Sequence, residues 1–197
     1  MAEYFTLPQI IGYIAAVIMV VSFQGKTQRF VVLVQMLGAA CWVVHFGVLA
    51  AYNGMLLNVI GVLRCIVFSQ RAEKAWARAK VWNPIFILLY AVATALAIFV
   101  FNDGVKALLP FTGMVITTFA LTQSDPFKLR MISVTSSPLW LIYNLIAGSV
   151  SGVLVESLNM VSVFVGVVRI DIPRLRASRK SDGAEVSDRR EIENADK

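Results

Sequence analysis

The sequence predicts an all-α membrane protein with seven transmembrane helices, arranged as two parallel three-helix repeats joined by an extra linker helix. Three observations lead there. Of the 197 residues, 58% are hydrophobic and 15% charged, against roughly 25% charged in an average soluble domain. A chain this small keeps much of its surface wet if it folds in water, so that composition excludes an ordinary soluble domain. The apolar residues also fall into seven runs, and the basic residues gather on alternate turns between them.

The runs lie near 7–24, 30–51, 54–70, 81–101, 105–122, 131–147 and 150–168, each close to the 20 or so apolar residues that cross a bilayer. The first run is preceded by a single charge, Glu3, with no basic segment. A cleaved signal peptide is therefore not expected, and the run should stay in the protein. Lys26 and Arg29 separate runs one and two, and Arg71, Lys74, Arg78 and Lys80 separate three and four. Lys128 and Arg130 separate five and six, while Arg169, Arg174, Arg176, Arg179 and Lys180 follow the seventh. Only Lys106 falls on the other face. Seven alternating spans put every basic loop on one side, which the positive-inside rule makes cytoplasmic, with the N-terminus out and the C-terminus in. The net charge of +6 thus reports topology, and no nucleic-acid partner is expected. Cys41 and Cys65 both lie within apolar runs, so no disulfide framework is suggested.

Four divisions follow. Residues 1–71 form the first three-helix repeat, 72–103 a basic loop and linker helix, 104–172 the second repeat, and 173–197 a mixed-charge tail. The tail is too polar to bury a core and is expected to be disordered. The repeat itself appears on shifting the sequence by 98 positions. Trp42, Gly54, Leu56, Val67 and Arg71 then meet identical residues at Trp140, Gly152, Leu154, Val165 and Arg169. In both halves an aromatic-marked helix is followed by a tiny turn and a polar-bearing helix ending in Arg. A three-helix unit reverses the chain across the membrane, so one added helix is needed before a second, parallel copy.

Helical spacing gathers the polar residues of each half into stripes. Gln35, Gly38, Trp42 and His45 align on the second helix, and Asn58, Gly61 and Arg64 on the third. Ser133, Ser136, Ser137, Trp140, Tyr143 and Asn144 align on the sixth; Gly152, Glu156, Asn159, Ser162 and Gly166 on the seventh. Small polar residues often only line helix contacts in membranes. Glu156 is different, because a carboxylate within a span costs about 2.5–3.5 kcal/mol or more and should face a cavity or a partner. It is the expected proton-coupling group. Arg64, late in its helix, has a long side chain that can reach the interface by snorkelling. His45 is the only histidine, so no metal site or other cofactor is expected. Its structural reading is a hydrogen bond, its functional one a proton relay.

Two resemblances add to this reading. Trp42 and Asn58, on consecutive helices, resemble the substrate-binding Trp/Asn pair of SWEET and SemiSWEET sugar transporters. Ser22 to Thr27 is similar to the Pro-Gln turn of the wider PQ-loop superfamily, with Phe23 in place of the proline; Pro110 and Pro138 are the proline bends available to the second half. The stretches Gln28 to Phe30, Trp42 to Phe46, Leu57–Asn58, Ile146 to Ser149 and Gly152 to Glu156 are similar to the YgjV family of bacterial inner-membrane proteins. The first resemblance implies alternating access and a sugar substrate; the second implies the bacterial inner membrane rather than an activity.

The expected substrate site comprises Trp42, Asn58, Trp140 and Glu156, with His45, Tyr143, Asn144 and Asn159 around them. Glu156 stands where the repeat predicts Asn, so a proton-coupled amino acid or amine carrier is the rival to a sugar carrier. A membrane receptor or assembly factor is the second class, although no Lys in the last helix is available for a retinal Schiff base. An intramembrane enzyme is the third: Ser136 or Ser137 with His45 lacks a third orienting group, so no catalytic residue and no enzyme is expected. The partners are the lipid bilayer and a small molecule, with homo-oligomerisation left open.

Overall fold

The computed structural model describes residues 6–174 and 176, which leaves nearly all of the expected disordered tail outside the described residues. Among those residues the secondary structure is helical, with no strand. The helices are α1 Leu7–Ser22, α2 Gln28–Val48, α3 Tyr52–Ser69, α4 Trp82–Phe99, α5 Leu108–Leu121, α6 Pro126–Val134, α7 Ser137–Ile146 and α8 Val150–Gly166.

Their ends follow from local chemistry. The Thr27 hydroxyl caps α2 by accepting the Phe30 N–H, and Asp125 caps α6 by accepting that of Phe127, each satisfying a first-turn donor. Ser149 does the same for α8 through Gly152. The chain reverses between α2 and α3 at Ala50, and between α7 and α8 at Gly148, both with left-handed backbone (φ 54° and 66°). These residues lie 98 positions apart and make matching bonds. Ala50 donates to Gly47 and Ala51 to Phe46, while Gly148 donates to Leu145 and Ser149 to Asn144.

The sixth expected segment, 131–147, needs correction. It starts earlier, at Pro126, and is broken into α6 and α7. Pro138 has no N–H to give to the Val134 carbonyl, and the chain instead turns tightly at Thr135 and Ser136, which donate to Ile132 and Ser133. Pro110 causes no such break, because it lies in the first turn of α5, where a missing N–H leaves nothing unpaired. At the other end α8 continues past its expected limit through a π-type turn, Val167–Asp171.

Seven of the helices form a closed ring. α1 packs on α2 and α2 on α3; α5 packs on α6 and α7, and these on α8. The ring is closed by α1 against α8 and by α3 against α5. These two contacts exchange when each helix is replaced by its counterpart 98 positions away. α4 stands outside the ring and packs on α3 and α5, where Phe86 and Tyr90 join Phe68, Cys65 and Leu121 in the larger apolar core.

Outward faces are apolar as well. Leu88, Val92, Leu96 and Phe99 of α4 are exposed, as are Val161, Phe164 and Val165 of α8, the pattern of a surface covered by lipid rather than water. Among the described residues, five helical segments are long and apolar enough to cross a membrane: Gln28–Val48, Tyr52–Ser69, Trp82–Phe99, Gly104–Leu121 and Val150–Arg174. Leu7–Ser22 is apolar but shorter.

Candidate functional site

The inward stripes of the ring helices enclose a cavity of about 90 Å³ of water-accessible space, room for several water molecules. Every ring helix contributes to its wall and α4 does not. α2 supplies Gln35, Ala39, Trp42 and Phe46; α3 supplies Asn58, Gly61, Arg64 and Cys65. From the second half come Met114 and Thr117 of α5, Ser136 at the α6–α7 break, Trp140 and Asn144 of α7, and Glu156 and Asn159 of α8.

Six of the eight residues singled out in the sequence therefore meet on one wall: Trp42, Asn58, Trp140, Asn144, Glu156 and Asn159. Trp140 reaches its place because Gly113 has no side chain; a Cβ there would lie 2.6 Å from the indole nitrogen. The Asn144 amide likewise occupies the space a Cβ of Gly152 would fill. Asn58 donates to the Gly54 carbonyl at 2.8 Å within its own helix. Glu156 is in hydrogen-bond contact with Ser137 and Asn159. Four lining residues, Arg64, Ser133, Asn144 and Asn159, each carry a side-chain nitrogen or oxygen that is buried without a protein partner. Such groups are costly to leave unpaired, so the wall is suited to a polar occupant.

His45 and Tyr143 do not line the cavity. Each sits three residues beyond its tryptophan, one turn closer to the helix–turn end of the ring. There His45 Nδ1–H donates to the Pro8 carbonyl at 2.7 Å, which leaves Nε2 as the acceptor facing the Ser149 hydroxyl at 3.2 Å. Tyr143 meets the backbone of Gly54. Each aromatic residue thus ties its own half to the start of a helix in the other half. Gln9 adds a third tie by accepting the Ser151 N–H at 3.2 Å.

The opposite, basic end is closed by a different device. Arg130 is fully buried (0% exposed), pairs with both Asp171 oxygens at 2.7 Å and donates to the Phe23 carbonyl at 2.8 Å. It also donates to the Gly25 carbonyl. Gln24 reaches Ser162 Oγ at 2.8 Å, and Ser162 in turn donates to Val20. The turn after α1 is therefore held against α6 and the end of α8. Sequence reasoning placed Arg130 only among the loop charges that report orientation. No local signal separates it from Lys128, and only packing shows that one is inside and the other on the surface.

Arg64 also departs from the snorkelling alternative. It is 4% exposed and points inward, with Nη1 donating to Thr118 Oγ1 at 2.9 Å and to the Met114 carbonyl at 3.3 Å. Its Nε is buried and has no partner.

The family described as Imp-YgjV, bacterial inner membrane protein, matches residues 6–173. The chain belongs to that family. It is similar to inner membrane protein YgjV of Escherichia coli (strain K12), 26% identical over 163 residues that cover 83% of this chain and 84% of that protein. No solved structure matches it. Family membership together with the several apolar helices makes this a multi-pass protein of the bacterial inner membrane, in contact with lipid.

Proposed function

We propose that this protein is a small-molecule membrane transporter of SWEET-like, alternating-access type, with the cavity as its central site. On this reading all seven segments cross the bilayer. α1, with 16 residues, is about 24 Å long, so it spans with the help of local thinning and its flanking turns. α6 and α7 together form one broken span. The basic end is cytoplasmic, and the halves rock about the site.

One observation carries the reading: a cavity walled by all the ring helices and lined by polar side chains from both halves, among them Gln35, Asn58, Asn144, Glu156 and Asn159. A lipid-packed structural bundle has no use for such a wall, whereas a solute that brings its own donors and acceptors completes it. The two tryptophans and Asn58 favour a sugar, following the resemblance to the SWEET Trp/Asn pair. Glu156 favours a second substrate class, an amino acid or amine moved together with a proton. Nothing in this scheme calls for bond chemistry, and the protein is read as a carrier and not an enzyme.

The reading predicts that Trp42→Ala and Asn58→Ala each abolish uptake by proteoliposomes while thermal unfolding stays close to that of the parent protein. Undiminished uptake in either variant removes the central-site assignment. If Glu156 carries the coupled proton, Glu156→Gln erases the dependence of uptake on a pH gradient. A retained dependence assigns the proton elsewhere. A sample that transports nothing across broad solute panels would favour a receptor or assembly role.

A further inference from the structure

Arg64 is a wall residue outside the Trp42/Asn58 pair. It is a permanent cation, more than nine-tenths buried, on the wall of a cavity inside the apolar part of the bundle. No carboxylate among the described residues lies within ion-pair distance of it. An unpaired buried charge is strongly disfavoured unless something supplies the opposite charge. The face of Tyr90, 5.9 Å from the guanidinium carbon, offsets part of that cost. Nη1 is engaged by neutral acceptors, Thr118 and Met114. The Cys65 thiol is a further neutral contact of the guanidinium; Nε has no protein partner, and a carboxylate can take the Nε edge side-on through two parallel N–H donors.

Glu156 provides the complementary charge on the opposite half. It is the seventh residue of α8, as Asn58 is the seventh of α3. Arg64 follows Asn58 by six residues, about 9 Å along the axis. Side chains lean toward the start of their own helix, so Arg64 reaches back toward the level of Asn58 and Glu156. The cavity thus has a cation from one half and an acid from the other on its wall, together with amides and indoles. No direct ion pair joins the two charges.

We infer that the substrate of this site is a small zwitterion of the amino-acid type, its carboxylate held by the Nε edge of Arg64 and its ammonium group facing Glu156. This inference rests on the transporter reading and narrows it. A neutral sugar leaves both charges uncompensated, and an amine compensates only Glu156. The modest size of the cavity, about 90 Å³ of water-accessible space, fits a small amino acid and is too small for a disaccharide in this conformation.

The test uses the purified full chain in nanodiscs, with thermal stabilisation read by ligand titration. The probes are the neutral L-amino acids, propionate as a carboxylate without the ammonium, ethanolamine as an ammonium without the carboxylate, and glucose. At least one amino acid should stabilise saturably, and more strongly than the other three. Arg64→Gln should weaken that response by about tenfold or more, while Arg64→Lys, which keeps the charge, restores part of it. Leu88→Ala, on the outward face of α4 away from the cavity, should leave the response within about twofold of the parent. If Arg64→Gln does not fold, the ranking of the four probe classes on the unaltered protein decides. A saturable glucose or ethanolamine response that equals or exceeds every amino acid, and is lost in Trp42→Ala, overturns the zwitterion inference and leaves the transport site standing. An unchanged amino-acid response in Arg64→Gln overturns it too. No response to any probe overturns the inference and counts against the transporter reading as well.

Discussion

In the first half α2 runs unbroken for 21 residues and meets α3 through Ala50. In the second half the corresponding segment is two helices of 9 and 10 residues, which meet α8 through Gly148. The turns match bond for bond, and the ring contacts exchange between halves, yet the inward residues differ. Asn58 corresponds to Glu156, Arg64 to Ser162, and His45 to Tyr143. The difference teaches that packing and chemistry separate in this fold. Small residues and left-handed turns set the frame, and the frame tolerates opposite charges on its two sides.

The largest test of that separation is at the basic end, where Arg130 of the second half has Val32 as its counterpart in the first. Arg130→Ala leaves Asp171 buried and unpaired and opens the clamp on Phe23 and Gly25. It should destabilise the protein by about 3–5 kcal/mol in denaturant or thermal unfolding. The exposed pair Arg174–Asp125 is the control, and Arg174→Ala should cost about 0–1 kcal/mol. Equal effects would mean that the Arg130 clamp does not hold the halves together.

Next come the ties at the helix–turn end. His45→Gln and Tyr143→Phe each remove a hydrogen bond between halves and should lower stability by about 1 kcal/mol, with little change in the substrate concentration that half-saturates uptake. A variant that keeps its stability but no longer binds substrate would return that residue to the cavity wall.

The smallest effects separate the two turns. Ala50 adopts a left-handed backbone that an L side chain disfavours, so Ala50→Gly should stabilise by about 0.5–1 kcal/mol, whereas Gly148→Ala should destabilise by a similar amount. Unfolding midpoints that move in the same direction for both would show that the turns are not equivalent.

Much of this was legible in the sequence because intramembrane polar and aromatic residues are expensive and therefore informative. Trp42, Asn58, Trp140 and Glu156 stood out by residue type and depth, and helical spacing turned them inward. His45 and Tyr143 share those stripes, but a stripe is broad. Phe46 and Asn144, one residue further along, still line the cavity, so it is the turn of the helix and not height that carries His45 and Tyr143 toward the neighbouring half. Arg64 was ambiguous for a different reason: its long side chain can run either toward the interface or inward, and Thr118 and Met114 on a distant segment decide which. The break before Pro138 was signalled by the proline itself, while the helix start at Pro126 was hidden by reading Lys128 and Arg130 as loop charges between the fifth and sixth runs.

The central claim is that the cavity opens alternately to the two faces of the membrane, and it can be tested without knowing the substrate. In a chain with Cys41 and Cys65 replaced by Ser, Ala39→Cys places a single thiol on the cavity wall. A membrane-impermeant maleimide is then applied to right-side-out and to inverted inner-membrane vesicles. Alternating access predicts labelling in both preparations. Labelling from one face only, or from neither, would contradict it.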